Sequence, residues 1–379
     1  MERNKILYIR SGPYELNFDN YNLQEVGLGK AFCRAGYDFD ILYYSKENRN
    51  QIIKTDSNRL RILWRKGIKF LRTGLYLTIC KKTFLNRYDA IIVSEYSQLM
   101  SVIVAFQHPN TYIYNGPYYN LFKIPIVEKF YDLLFCKYLN RRVRKVFCKT
   151  EMAKEYIARK GLTNSMVVGV GLDTAKFDEE EVIESETEEL LSKMDGYRNL
   201  LYVGQIVRRK NVELLIKAFV ELKKRENTGD IQLVLVGKGD ASYTKYCKSL
   251  LSDEISKRVI WCKFIKNAQM KFVYQVSDIF LLPSIQEIFG MVLLEAMYFG
   301  VPVISSYSAG AEILIKNGKN GVIVKEFDEC KWKLAIEKIL NNPQKAKNYG
   351  KVARNTICSE FLWDGIASKM IKTIRKNGE

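Results

Sequence analysis

The sequence predicts an α/β chain made of two doubly wound, Rossmann-like parallel-sheet units in tandem. Three observations carry this reading. The chain has 379 residues, room for two domains of ordinary size. Its hydrophobic content of 47% and aromatic content of 12% belong to a globular protein and exclude a disordered or fibrous one. Short, continuous β-branched and aromatic runs alternate with stretches of helical spacing or polar turns, as parallel strands covered on both faces do.

In the first half these runs fall at residues 5–9, 38–44, 60–64, 89–94, 111–115, 145–149 and 166–170. A second series runs through 199–203, 231–236, 258–262, 278–283, 301–305 and 321–324. Between the two series, residues 178–189 hold eight carboxylates in twelve positions, which reads as a solvated linker or the acidic first turn of a helix. From about residue 331 to 376 the spacing predicts amphipathic helices without strands. The boundaries that follow are 1–174 for the first domain, 175–196 for the linker, 197–357 for the second domain and 358–379 for a last helix.

The formal charge is +18, and it is uneven: residues 1–170 hold 28 Lys and Arg against 14 Asp and Glu, and the remainder 32 against 28. Such an excess points to an anionic partner. Residues 57–87 contain Arg59, Arg61, Arg65, Lys66, Lys69 and Arg72 and no acid, interleaved with Trp64, Phe70, Leu71 and Leu75. Residues 137–149 form a second acid-free cluster. Cations mixed with aromatic and aliphatic residues suit a helix in the headgroup layer of an anionic membrane, against the plainer reading of a solvated helix packed on its own sheet. No zinc-finger, RNA-recognition or helix-turn-helix signature accompanies the charge, so no nucleic-acid partner is expected. The eight cysteines include no C-x2-C pair, and His108 is the one histidine, which excludes sites needing several imidazoles. With no signal-peptide pattern and no run of 18 apolar residues, the expected location is cytoplasmic, peripheral on the inner face of the cell membrane.

The chemistry concentrates at residues 283–302. A strand ends at Pro283, a short loop carries Glu287, and a helix is expected from near Gly290 to just before Gly300, its C-terminal cap. The amides of Gly290, Met291 and Val292 are then first-turn donors at the positive end of the helix dipole, an anion site at the carboxyl edge of a sheet. Glu287 and Glu295 stand eight positions apart, so they should reach different parts of one ligand.

This stretch, with Ser284, Glu287, Phe289 and Gly290 followed by Glu295, Ala296, Met297, Gly300, Pro302, Gly310 and Glu312, resembles the Glu-x7-Glu segment of the retaining, GT-B-fold glycosyltransferases of family four. The resemblance implies a GT-B architecture, two Rossmann-like domains facing a central cleft. It places Glu287 beside the transferred sugar, Glu295 on the ribose hydroxyls, and Ile288, Phe289, Gly290, Met291 and Val292 around the diphosphate. Residues 201–212 resemble the family's strand, glycine turn and basic pair: Gly204 makes the turn, Lys210 falls on the diphosphate-binding lysine, and Arg209 or Arg208 supplies the guanidinium. Here Gln205 stands where an arginine often follows the glycine, and Asn211 where a glycine often follows the lysine. Gly237, in the glycine pair Gly237 and Gly239, resembles the loop that approaches the nucleotide, and Phe264 and Ile265 occupy the place where backbone groups meet the base. Glu287, Lys210 and Arg209 are thus the implied catalytic set. Gly171, Asp173 and Phe177 match a turn at the end of the family's first domain, and residues 361–364 its return segment.

The first half resembles the family only in architecture. Where many relatives carry a histidine near the reacting sugar, this chain has Asn115 or Gly116; His108 precedes that strand and reads as a core or loop histidine. On the acceptor side the candidates are Gly12, Glu95, Asn115 and Gly116. The implied activity is transfer of a sugar from UDP-sugar or GDP-sugar to a hydroxyl acceptor with retention, in cell-surface polysaccharide, lipopolysaccharide, glycolipid or lipid-linked glycan synthesis. The family's front-face substitution needs no separate base, and no cofactor and no metal are expected, because Lys210 and the helix amides can neutralise the diphosphate. A sugar-nucleotide epimerase on the same fold and a basic nucleic-acid-binding protein are the alternatives.

Overall fold

The computed structural model describes residues 4–376 apart from 17–22, 56–57, 71, 78, 80, 123, 179–180 and 225–229, so Ser57 and Leu71 of the basic segment and Glu179 and Glu180 of the acidic stretch lie outside the described residues. Two units divide it: Met1–Asp173 with Phe361–Glu379, and Thr174–Glu360.

In the first unit the strands are β1 (Lys5–Ile9), β2 (Asp38–Ser45), β3 (Arg49–Ile53), β4 (Leu60–Lys66), β5 (Ile68–Phe70), β6 (Thr73–Leu75), β7 (Ala90–Ser94), β8 (Thr111–Asn115), β9 (Lys145–Cys148) and β10 (Ser165–Val167). Eight of them form one sheet in the order β10-β9-β8-β7-β1-β2-β4-β3, and β5 and β6 form a separate antiparallel hairpin. Every pairing in the large sheet is parallel except that of β3 with β4. Strands buried on both faces need apolar residues at nearly every position, and Ile6, Leu7 and Ile9 of β1 and Ala90 to Val93 of β7 are fully buried. The chain re-enters this unit at Phe361, whose carbonyl accepts from the Leu172 amide at 2.8 Å, and the helix Trp363–Lys376 packs on the helix Gln24–Arg34 with an Arg34–Asp364 ion pair at 2.7 Å.

The basic segment corrects one expectation. Residues 57–87 do not form a surface helix: β4, β5 and β6 fall within the segment, and among its described residues the one helix is the short Lys82–Leu85. Within β4, where the sequence places a strand run at residues 60–64, the buried Leu60, Ile62 and Trp64 share one face and the half-buried Arg61 and Arg65 the other. The parallel register sets Arg61 beside Asp40, a fully buried carboxylate that accepts from Arg61 Nε at 3.1 Å and Nη2 at 2.5 Å and from the Tyr88 hydroxyl at 2.6 Å. Leaving such a carboxylate without its partner costs about 3–5 kcal/mol, so Arg61 is a structural cation. Arg59 pairs with Asp38 at 3.6 Å, Arg65 donates to Asn50 Oδ1 at 2.9 Å, and Arg72 faces Glu95 at 3.5 Å. Of the six cations assigned to a membrane, Lys66 and Lys69 are the exposed ones.

The second unit holds β11 (Arg198–Val203), β12 (Ile231–Val236), β13 (Val259–Cys262), β14 (Ile279–Leu282), β15 (Val303–Ser306) and β16 (Val322–Val324). They pair in parallel in the order β13-β12-β11-β14-β15-β16. The helix Val212–Lys223 buries Val212, Leu215, Phe219 and Leu222, a 3.6-residue stripe, against Leu200, Tyr202, Leu233 and Leu235 of the sheet. The acidic stretch ends in the helix Ser185–Met194, which buries Thr187, Leu190 and Met194 and leaves Glu186 and Glu188 outside. Among the described residues no helix is long and apolar enough to cross a membrane.

Candidate active site

The strand order of the second sheet reverses between β11 and β14, and in open parallel sheets ligands bind beyond the carboxyl ends of the strands at such a switch point. The two segments singled out from sequence leave from there: residues 204–210 follow β11 and residues 283–290 follow β14. Gly204 donates its amide to Val236 O at 2.9 Å, and its backbone touches that of Gly237, where a Cβ would stand 2.0 Å from Gly204 O. Arg208–Lys210 then forms one 3-10 turn, closed by Asn211 at φ 52°. Asparagine is among the few side chains that take this left-handed conformation readily, so Asn211 meets a backbone demand that glycine would otherwise fill.

The two loops are tied together. Ile285 N donates to Arg209 O at 3.0 Å, Arg209 Nη1 donates to Gln286 O at 3.1 Å, and Lys210 Nζ forms an ion pair with the Glu287 carboxylate. The Lys210 and Glu287 side chains are only 12% and 14% exposed. Of the two arginines, Arg209 thus lies against the Glu287 loop, while the guanidinium of Arg208 stacks 5.6 Å from the Tyr243 ring.

Gly290, at φ 81°, makes the turn into the helix Met291–Tyr298, and Gly300, at φ 74°, ends it. The amides of Gly290, Met291 and Val292 take no protein acceptor among the described residues, while Leu293 N and Leu294 N turn back to Gly290 O. The half-buried Ile288 and the buried Phe289 precede this turn. The helix Ala309–Leu314 presses on it from behind: a Cβ on Gly310 would lie 1.7 Å from Phe289 O. Gly310→Ala should therefore push the 287–290 loop out of place, costing about 1–3 kcal/mol of stability in a denaturant titration; an unchanged midpoint would show that the loop is not held by this contact.

Glu295 takes a different position from Glu287. It is 3% exposed and accepts from the Tyr274 hydroxyl at 3.0 Å and from Asn267 Nδ2 at 3.3 Å. Burial and the Glu295 carboxylate push the Tyr274 phenol well above its ordinary value. Tyr274 and Asn267 were not singled out from sequence, because only the fold brings them to Glu295; Asn267, two positions beyond Ile265, was the nearest signal. Phe264 is exposed, with Lys238 Nζ 5.2 Å from its ring centre, and Ile265 is buried. Both line a cavity of about 570 Å³ beside the edge strand β13, with Trp261 and Lys193 among its walls.

In the first unit Gly12, Glu95, Asn115 and Gly116 all lie at or just beyond the carboxyl ends of β1, β7 and β8. Asn115 is fully buried and engaged at both ends of its amide, Oδ1 accepting from Tyr96 N at 3.3 Å and Nδ2 donating to Pro117 O at 3.2 Å, so it holds the turn together. Glu95 has φ 61° and accepts from Gln98 Nε2 at 3.2 Å; a non-glycine residue in this region is strained by about 1–3 kcal/mol, and such strain clusters at functional sites. Arg10, which the sequence did not single out, and Lys149, read from sequence only as the end of the second basic cluster, each stand one residue beyond a strand of this edge. Lys149 Nζ donates to Gln24 Oε1 at 2.7 Å, and burial holds its ammonium below the ordinary value. Among the described residues, buried Arg10 Nη1, Ser11 Oγ and Arg72 Nη1 have no hydrogen-bond partner. His108 lies elsewhere, buried in the core, where its Nε2–H donates to Tyr88 O at 3.0 Å and burial keeps the imidazole below its ordinary value.

Residues 184–356 match the family model described as glycosyl transferases group 1. Spore coat protein SA of Bacillus subtilis is 30% identical over 199 residues, 50% of this chain and 52% of that protein. The chain spans about half the length of the curated relatives it matches. Among solved structures, sucrose-phosphate synthase from Thermosynechococcus elongatus superposes with a TM-score of 0.75 at 20% identity, over 99% of both chains. Anabaena HepE in complex with UDP-glucose gives a TM-score of 0.71 at 15% identity, over 98% of this chain and 99% of that one. The chain has the GT-B fold, and its second unit contains a glycosyl transferases group 1 domain.

Proposed function

We propose that this protein transfers a sugar from a nucleoside diphosphate to a hydroxyl acceptor with retention of anomeric configuration. The observation that carries this is the meeting of Lys210, Glu287 and the unpaired amides of Gly290, Met291 and Val292 at the switch point of the second sheet. A diphosphate bridges such donors, and the donors gain most when negative charge grows on the leaving phosphate. The complex of HepE with UDP-glucose supports a nucleotide-sugar donor.

In this reading the diphosphate takes Lys210 from Glu287 and sits on the first-turn amides, with Arg209 beside it. Glu287 is released to hold hydroxyls of the sugar and to favour the cationic anomeric centre. The bond from the anomeric carbon to the β-phosphate oxygen breaks, its electron pair staying on the phosphate. The acceptor oxygen bonds to the same face of that carbon, and its proton passes to the departing phosphate. No divalent metal is needed, and EDTA should leave the rate unchanged. Glu295, held by Tyr274 and Asn267, is placed to receive the ribose hydroxyls, with the base near Phe264 and Ile265. The first unit supplies the acceptor groups. The strained Glu95 is the acceptor-side candidate among the four named from sequence, with the product a cell-surface polysaccharide, glycolipid or lipid-linked glycan made at the cytoplasmic membrane surface.

A panel of UDP- and GDP-sugars tests the reading by protection against thermal unfolding. Ligand at 100 times its Kd stabilises the folded state by about 2.7 kcal/mol, a rise of several degrees in midpoint. No shift with any member would refute the donor assignment, and recovery of an epimerised sugar nucleotide without transfer would assign the epimerase instead.

A further inference from the structure

The outer face of the helical segment that follows β8 carries an exposed apolar stripe that no described residue covers. The segment runs through Pro125–Tyr131, a π-turn at Asp132–Cys136, and Lys137–Arg142. Its inner face buries Tyr131, Cys136 and Leu139 against the sheet. Ile126, Phe130, Leu133 and Leu134 recur at intervals of three to four or one residue on the opposite face and are 58%, 59%, 77% and 64% exposed. Phe106, 70% exposed, lies in the last turn of the neighbouring helix Leu99–Gln107, and its carbonyl accepts from Arg142 Nη2 at 3.2 Å. Exposed apolar side chains usually occur singly, and a contiguous set marks an interaction site.

The charges around this stripe select the partner. Lys129, Lys137 and Arg141 are exposed and lie at helical spacing from the apolar residues, on the same face. Residues 96–150 contain eight Lys and Arg and two acids, Glu128 and Asp132. Both acids turn inward to Lys160, 3.0 Å from Glu128 and in an ion pair with Asp132, and the Tyr156 hydroxyl donates to Glu128. The outward face therefore presents hydrocarbon and positive charge with no carboxylate among the described residues. A protein partner would need a complementary apolar groove lined with acids. An anionic bilayer supplies both components without further design, headgroup charge for the cations and acyl chains for the stripe.

We propose that this face docks the first unit on an anionic lipid bilayer, with Phe130, Leu133 and Leu134 entering the headgroup boundary. This deepens the membrane-borne acceptor reading and rests on it only for what the bound enzyme then glycosylates. It also moves the membrane contact from the segment at residues 57–87 to this one.

The test is co-sedimentation of the full chain with phosphatidylcholine vesicles containing or lacking phosphatidylglycerol. Binding is expected only with the anionic lipid and should fall as salt rises. Lys129→Gln, Lys137→Gln and Arg141→Gln together should weaken it on the order of 100-fold, since each cation near such a surface contributes about a factor of five to ten. Phe130→Ser with Leu133→Ser should abolish it while leaving the thermal midpoint and nucleotide binding at wild-type values, because both side chains are exposed. Failure of the wild type to sediment with anionic vesicles would overturn the proposal, as would undiminished sedimentation of either variant. A concentration-dependent dimer in ultracentrifugation that the Phe130→Ser, Leu133→Ser variant dissolves, without vesicle binding by the wild type, would assign the face to a second copy and overturn it too. Donor protection in the thermal assay reads the transferase separately, so loss of vesicle binding with donor binding intact refutes this surface alone.

Discussion

Glu287→Gln should lower turnover by a factor on the order of 10²–10³ while leaving the affinity for UDP unchanged or tighter. The unequal effect follows from the ion pair. In the structure the Glu287 carboxylate holds Lys210 Nζ, and both groups are largely withdrawn from water. A diphosphate must draw Lys210 away from that carboxylate, so neutralising Glu287 removes a competitor for the lysine as well as a group beside the sugar. Nucleotide binding then keeps its cation and its amides, whereas the cationic anomeric centre loses the carboxylate assigned to it. Steady-state release of UDP together with calorimetry of UDP binding checks both halves. Near-normal turnover would remove Glu287 from the reaction, and a large loss of UDP affinity would mean that it acts through the architecture of the loop instead.

Much of the fold was legible because the buried strands are written in continuous apolar runs. The runs at residues 5–9, 111–115 and 231–236 coincide with β1, β8 and β12. What was not legible had physical reasons. β3 is an edge strand, with Arg49 to Gln51 and Ile52 all exposed, so it carries no apolar signature. The run at residues 60–64 does fall on β4, but the role of the neighbouring arginines was not legible, because Asp38 and Asp40 lie some twenty positions away and meet Arg59 and Arg61 only through the register of β2 with β4. At the site, the helix Met291–Tyr298 with a glycine at each end was readable from local spacing. The pairing of Lys210 with Glu287 spans 77 positions and comes from β11 and β14 being neighbours in the sheet. The Tyr274 and Asn267 contacts of Glu295 have the same origin in tertiary packing.

Lys210→Ala should weaken UDP binding by about 10- to 100-fold, the range of a charge-assisted hydrogen bond of about 1.5–3 kcal/mol. It also leaves Glu287, largely withdrawn from water, without its cation, so the substitution should lower the thermal midpoint of the protein measured without nucleotide. Lys210→Ala combined with Glu287→Gln separates the two effects: the midpoint should recover, because the stranded charge is gone, and UDP affinity should stay low, because the phosphate still lacks its ammonium. Equal UDP affinity in wild type and Lys210→Ala by calorimetry would refute the phosphate role. Failure of the double variant to recover stability would show that the lysine stem, and not the ion pair, supports the loop.

The most direct measurement is a crystal structure of the full chain grown with UDP. The expected result has the diphosphate oxygens within hydrogen-bond distance of the Gly290, Met291 and Val292 amides, with Lys210 Nζ moved onto phosphate and its contact with Glu287 broken or shared. UDP bound away from this helix start, with the Lys210–Glu287 pair intact beside it, would contradict the donor site and the reaction built on it.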